Sequence, residues 1–370
     1  MKINKFIQKS FKITFQKLFI LFYGKIKEYN EINNLTLNKK KISIIQLKND
    51  IKYTVHENIY EIPNARVYTD TVQHVAIIKD NIILPDISYQ QINNELKESK
   101  FNKVLTSGTP RLIKNIDGTM LSLVQGASGN NYFHFLFDIV AKLRLCEEKI
   151  KLDDIDFFYV PGKFEWQKKI FSLFGIHEKR LINSQVYRHL KAKNVIAIDH
   201  PWYKKGYVQE EIYNLPDWII LFLREKFLGY RKKFKCSDKI FIDRAESLFN
   251  HCKLINNNEI IEYLSKRGFQ SYQIGKLDFF EQIYLFNNAK IIIGPHGAAF
   301  TNIIFSNPNT NIIEIIPDYH KSKKCERISK ILNFKYTKVV RPTTYLSDQK
   351  LGDMKIGIDE IDNILDQVKL

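Results

Sequence analysis

Three Ile-rich runs, KIFID (239–243), KIIIG (290–294) and TNIIEIIP (310–317), are short, apolar and separated by polar segments of helical period. Runs of this kind predict strands buried on both faces, the signature of a parallel sheet covered by helices. Between them, NNNEIIEYLSKRGF and DFFEQIYLFNNA read as helices, QSYQI as a further strand and AAFTNIIFS as a short helix. Asn256 with Glu259, and Asp278 with Glu281, have the spacing of capping boxes, in which side chains satisfy the first helical amides. Strand and helix alternating from 239 to 317 predict an α/β fold for this half of the chain.

The preceding part has a different rhythm. From 41 to 120, KISIIQL, ARVYTD, HVAIIKD and NIILPD read as strands of a small sheet divided by turn residues. A Gly/Ser/Asn stretch (126–131) then leads into Tyr132, Phe133, Leu136, Phe137, Val140 and Leu143 at helical spacing. IDFFYV and KNVIAID predict strands around the helical WQKKIFSLFG, and Pro216 opens another helix, DWIILFLREKFLGY. The expected organisation is an N-terminal segment with a polar linker (1–40), a first α/β domain (41–230) and a second (231–370).

The N-terminal segment interleaves Lys2, Lys5, Lys9, Lys12 and Lys17 with Phe6, Phe11, Phe15 and Phe19. Basic residues mixed with Phe and Leu predict an amphipathic helix, either lying on an anionic membrane through residues 1–30 or packed on protein. Its apolar stretch, Leu18 to Tyr23, is too short for a secretory signal core. Lys and Arg outnumber Asp and Glu by 57 to 40, a net charge of +17, which suggests an anionic partner. No zinc-finger, RNP-like or helix-turn-helix pattern accompanies that charge, so nucleic acid is not the expected partner. The four cysteines form no CxxC pair, which argues against a zinc site or disulfide framework and for a reducing cytosol.

Ligands of open parallel sheets sit beyond the strand C-termini, and three segments bring polar groups there. In Gly294-Pro295-His296-Gly297-Ala298-Ala299 the glycines let the backbone approach a ligand, and the following helix start offers amides to a phosphate. His296 has two readings, a donor to phosphate or sugar and a turn histidine bonded to backbone. Arg244, after the strand at 239, is a candidate for holding a diphosphate through paired hydrogen bonds. Glu314 either accepts both hydroxyls of a ribose or pairs with a lysine. Asn131 and Asn302 complete the candidate binding set. His134 and Asp138 lie four apart on one helical face and can share proton transfer on an acceptor hydroxyl; a buried structural pair is the alternative. With no third ligand at helical spacing, no metal is expected.

NYFHFLFDIVAKL, FIDRAES, LSKRGF, IIIGPHGAAFTNIIFSNPNTNIIEIIP and the earlier IPNARVYTD together resemble glycosyltransferase family 61, in matching order, over residues 60 to 320. The resemblance implies a GT-B-like fold, with two Rossmann-like domains facing across a cleft. The first domain is then the acceptor side and the second binds the nucleotide-sugar. It also implies inversion at the anomeric carbon without metal or cofactor, and a role in capsular or other cell-surface polysaccharide. The expected partners are a UDP-linked donor and a saccharide or lipid-linked saccharide acceptor, with the protein peripheral on the inner face of the cytoplasmic membrane. Asp138 is the favoured base, with His134 orienting it or contacting the acceptor. Asp243 stands where a serine is common and Phe135 where tryptophan is common, which places a carboxylate near the expected phosphate site. Pyruvyl or sugar-phosphate transfer on a similar scaffold is the alternative chemistry, and a scaffold without turnover is a further one.

Overall fold

A computed structural model of the chain describes residues 2–29, 43–46, 58–69, 74–125, 129–162, 164–245, 252–346 and 352–368. The linker expected at 31–40 and residues 126–128 of the Gly/Ser/Asn stretch lie outside the described residues. The chain divides into two units, Met1–Glu211 and Ile212–Leu370.

The first unit is built on a sheet of twelve described strands. Four of them form a parallel block, in the order Leu181–Asn183, Phe157–Val160, Lys114–Ser122 and His189–Ile198. Beyond His189–Ile198 the sheet continues antiparallel through Arg66–Tyr68, His74–Lys79, Tyr89–Ile92 and Glu95–Lys97. This mixed sheet corrects the expectation of a Rossmann-like first domain. Asp80 and Asn81, and again Asn93 and Asn94, hold positive φ and join flanking strands as hairpins. Two consecutive residues in that conformation make the turn whose twist suits a hairpin, and a connection this short permits only an antiparallel return.

Residues 132–147 cross from Lys114–Ser122 to Phe157–Val160. The sequence predicts a uniform α-helix here, but a π-helical segment, Phe135–Val140, separates the α turns Tyr132–His134 and Ala141–Glu147. All six residues of that wide turn are buried, and Asp138 is its one polar side chain. The N-terminal helix α1 (Lys2–Tyr23) ends at Gly24, whose φ is +81°. Phe19 is buried against the unit, whereas Phe11, Leu21 and Phe22 are exposed. Among the described residues, no helix is long and apolar enough to cross a membrane.

In the second unit the Ile-rich runs form a fully parallel sheet, as their pattern predicts. Its strands are β1 (Lys239–Ile242), β2 (Gln270–Tyr272), β3 (Ile291–Pro295), β4 (Asn311–Pro317) and β5 (Lys335–Arg341), in the order β2-β1-β3-β4-β5. Ile291, Ile292 and Ile293 of β3, and Ile312, Ile313, Ile315 and Ile316 of β4, are all buried, so both faces are covered. The Asp278–Glu281 capping box forms. At Asn256 the side chain instead donates to Glu259 and to the Ile356 carbonyl, leaving the helix amides uncapped by it. AAFTNIIF folds as a 3₁₀ helix, Ala298–Phe305. The boundary expected near 230 falls earlier, because helix Asp217–Phe227 packs with the second unit. Arg224 donates to the Ile304 and Ser306 carbonyls, and Phe227 meets Phe279 edge-on.

Candidate functional site

The strand order reverses direction between β1 and β3, and in open α/β sheets such a switch point opens a crevice at the strand C-termini. Arg244 follows β1 and His296-Gly297 follows β3, so both flank that point. Two glycines make the arrangement possible. A Cβ at Gly294 would lie 2.8 Å from the Ile242 Cβ, and one at Gly297 would lie 1.6 Å from Arg244 Nη1. The guanidinium therefore occupies the space that any side chain at 297 would need. Lys324 reaches the same loop from below, donating to the Gly297 carbonyl (2.8 Å) and to Thr301 Oγ1 (3.4 Å). Both cations are buried, and burial lowers both pKa values. Two buried basic side chains thus converge on one loop, the residue type suited to meeting an anion.

His296 holds its place through its backbone N–H, which donates to the Ile315 carbonyl, and through Nδ1, 2.5 Å from Glu314 Oε1. Glu314 also accepts from Tyr336 (2.6 Å) and from the Cys325 thiol (3.1 Å). Burial by itself would raise the Glu314 carboxyl, but His296, Tyr336 and Cys325 outweigh it and hold the group at about 2. For His296, burial outweighs the pull of Glu314 and lowers the imidazole. Both Glu314 oxygens are already engaged, so its role here is to hold His296, and the ribose contact expected from the sequence does not fit.

Other expected binding residues separate in the same way. Ala298 opens the 3₁₀ helix, whose start no side chain caps. Asn302 is buried and donates to Gln282 and to the Ala299 carbonyl, bracing that helix. The carboxylate of Asp243 is committed to the Ala245 amide, Asn257 and Gln273, which accounts for an acid beside the two cations. His320, in the turn after β4, places its ring 4.2 Å from that of His296; nothing in its local sequence pattern marks it.

In the first unit, Asn131 caps the crossing helix, accepting from the amides of Phe133 (2.9 Å) and His134 (3.4 Å). His134 Nδ1 lies 2.7 Å from Asp138 Oδ2, and Trp202 Nε1 donates to Asp138 Oδ1 at 2.8 Å. Asp138 is 0% exposed. Burial would raise its carboxyl, but His134 and then His200 reverse the effect and hold it well below the usual range. His200 Nε2 lies 3.6 Å from Asp138 Oδ2, too far for a hydrogen bond, and neither of its ring nitrogens has a hydrogen-bond partner among the described residues. Burial lowers His200. Lys142 is buried beside them, donating to Gln125 (2.9 Å) and Tyr89 (3.4 Å), and burial brings its amine down to about 8.

The two members of the pair differ in how their polar atoms are engaged. Asp138 is enclosed, with its oxygens held by His134 and Trp202, whereas His134 with a proton on Nδ1 keeps a lone pair on Nε2. His200 and Trp202 are additions that the sequence reading misses. They follow the parallel strand His189–Ile198 in the run DHPW, the same signal of polar residues after a buried strand that marks His296. Among the described residues, no group of three or more His, Cys, Asp or Glu side chains could hold a metal ion.

No curated protein matches the chain. Among solved structures, a flavo di-iron protein from Thermotoga maritima is similar at 10% identity and a TM-score of 0.25, covering 88% of this chain and 98% of that one; a score so low carries no argument. The family model described as glycosyltransferase 61 matches residues 132–313, a stretch that contains His134, Asp138, Arg244 and His296. That match supports the family resemblance of the motifs and, with it, glycosyltransferase activity.

Proposed function

We propose that the protein is an inverting glycosyltransferase, taking a UDP-linked sugar to a capsular or other cell-surface saccharide, free or lipid-linked. The observation that carries this reading is the pair of buried cations, Arg244 and Lys324, on the Gly297 loop at the switch point. A diphosphate placed there gains charge-assisted hydrogen bonds from Arg244, and the charge on its leaving oxygen is neutralised by groups fixed in advance. The reading therefore needs no divalent metal at the phosphates. His134 takes the proton from the acceptor hydroxyl at Nε2 as that oxygen attacks the anomeric carbon, and Asp138 holds the ring and stabilises the imidazolium. Residues 1–30 make peripheral contact with an anionic membrane, which would place the enzyme on the inner face of the cytoplasmic membrane.

A thermal-shift series with nucleoside diphosphates, run with and without EDTA, tests the donor assignment. A ligand at 100 times its Kd adds about 2.7 kcal/mol of apparent stability. Stabilisation by UDP in the presence of EDTA is expected. Stabilisation that disappears with EDTA and returns with manganese would falsify the metal-independent reading.

A further inference from the structure

Helix α1 packs on the first unit through its C-terminal half. Phe19 is buried there, and Gly108, with φ +61°, lies so close that a Cβ would stand 2.6 Å from the Ile20 side chain. Towards its N-terminus the helix leaves a groove of about 580 Å³ between itself and the body of the unit. That volume lies within the usual range for a small-molecule site. Phe11 and Phe15 line it from the helix and Tyr68 from the sheet, while Lys12, Lys103 and Arg111 line it as cations. No carboxylate lines it among the described residues. Aromatic walls with an uncompensated positive rim fit an amphiphile that joins an apolar chain to an anionic end.

We infer that this groove binds a lipid bearing a terminal phosphate, with the chain against Phe11, Phe15 and Tyr68 and the phosphate at Lys12, Lys103 and Arg111. The exposed Leu21 and Phe22 of the same helix would meet the bilayer from which such a lipid is drawn. The inference rests on the proposed membrane contact of residues 1–30 and adds a specific lipid site to it.

The test uses the full chain with two kinds of phosphatidylcholine vesicle, one doped with phosphatidic acid and the other with phosphatidylglycerol at equal surface charge. Wild-type protein should prefer phosphatidic acid. The double variant Lys103→Ala, Arg111→Ala should lose that preference, by about tenfold in affinity for two exposed charge pairs removed, and still bind phosphatidylglycerol through α1. Leu21→Glu with Phe22→Glu should weaken binding to both. A double variant that keeps the preference, or a wild type that shows none, overturns the groove assignment. If wild type binds neither vesicle, the membrane contact fails, and titration with short-chain soluble phosphatidic acid then decides the groove alone. Saturable binding lost in the double variant sustains it. Displacement of that lipid by inorganic phosphate at equal concentration reduces it to a free phosphate site and overturns the lipid assignment. A thermal melt matching wild type shows that the variants are folded.

Discussion

Each unit contains a buried histidine whose Nδ1 faces a buried carboxylate: His134 with Asp138 in the first, His296 with Glu314 in the second. Each carboxylate is held by a further aromatic donor, Trp202 on Asp138 and Tyr336 on Glu314. The surroundings differ. Beside His296 stand Arg244 and Lys324, both buried on the Gly297 loop. Around His134, among the described residues, stand the buried Lys142, which burial brings down to about 8, and His200, which burial also lowers. On the proposed reading the same dyad serves two tasks: beside Arg244 and Lys324 the histidine would face an anion, and beside Lys142 it would take a proton. The neighbouring side chains, rather than the dyad itself, would then separate the roles.

The largest expected effect tests the base. His134→Ala should lower turnover by about 10²–10⁴, the usual contribution of a general base, with nucleotide affinity little changed. Asp138→Asn should lower it less, because the ring loses its orienting carboxylate but keeps Nε2. Full turnover in His134→Ala, measured with a soluble acceptor, removes the first unit's dyad from the chemistry.

The anion site comes next. Arg244→Ala should cost about 1.5–3 kcal/mol of nucleoside diphosphate affinity, the worth of a hydrogen bond to a charged group, and leave the bare nucleoside unaffected. Gly297→Ala should act in the same direction, since its Cβ would fall on the guanidinium. Calorimetry showing equal losses for nucleoside and nucleoside diphosphate would mean that Arg244 does not touch phosphate.

Protonation sharpens the contrast further. Burial holds His296 below its ordinary value of 6.5, so it is neutral at pH 7 in the free protein. A bound diphosphate stabilises the imidazolium and raises that value, so binding takes up a proton. Affinity for a nucleotide-sugar should then rise as pH falls through the bound-state value, by up to about tenfold per pH unit, and level off below the free-state value. His296→Asn should flatten the profile. An affinity that weakens on acidification contradicts this picture.

The smallest effect concerns stability. Glu314 is held at about 2 against an ordinary 4.5, so its contribution is present above 4.5 and is lost as pH falls through about 2. Tyr336→Phe removes one donor of three and should cost about 1.5 kcal/mol at neutral pH, the low end for a hydrogen bond to a charged group. The deficit should shrink as the solution approaches the folded-state value. A deficit independent of pH would mean that the tyrosine acts by packing alone.

Local chemistry made much of this legible. The Ile-rich runs predict the parallel sheet, because only strands buried on both faces tolerate such continuous apolarity. Spacing pairs His134 with Asp138, since residues four apart meet on a helix. Asp278 and Glu281 announce their helix for the same local reason. Other features depend on distant parts of the chain. Asn256 has the capping spacing, yet its side chain turns to Ile356, 100 residues away. The wide turn at Phe135–Val140 leaves no mark in the helical period. The antiparallel part of the first sheet was readable in principle from Asp80-Asn81 and Asn93-Asn94, whose turn chemistry favours hairpins over crossovers.

What the sequence by itself determined is the α/β class of the second half, the basic and aromatic helix at the N-terminus, and the residue types offered at the strand ends. Which of those residues meet was decided by the tertiary structure. Glu314 reaches His296 because β3 and β4 pair in register, with Gly294 opposite Glu314. Lys324 and Arg244 arrive at Gly297 from other elements, and Trp202 closes over Asp138 from a strand end 64 residues away. The physical reason is common to all of them. Helical and strand periods are set by neighbours in the chain, whereas burial, charge and the availability of a lone pair are set by what the fold brings alongside.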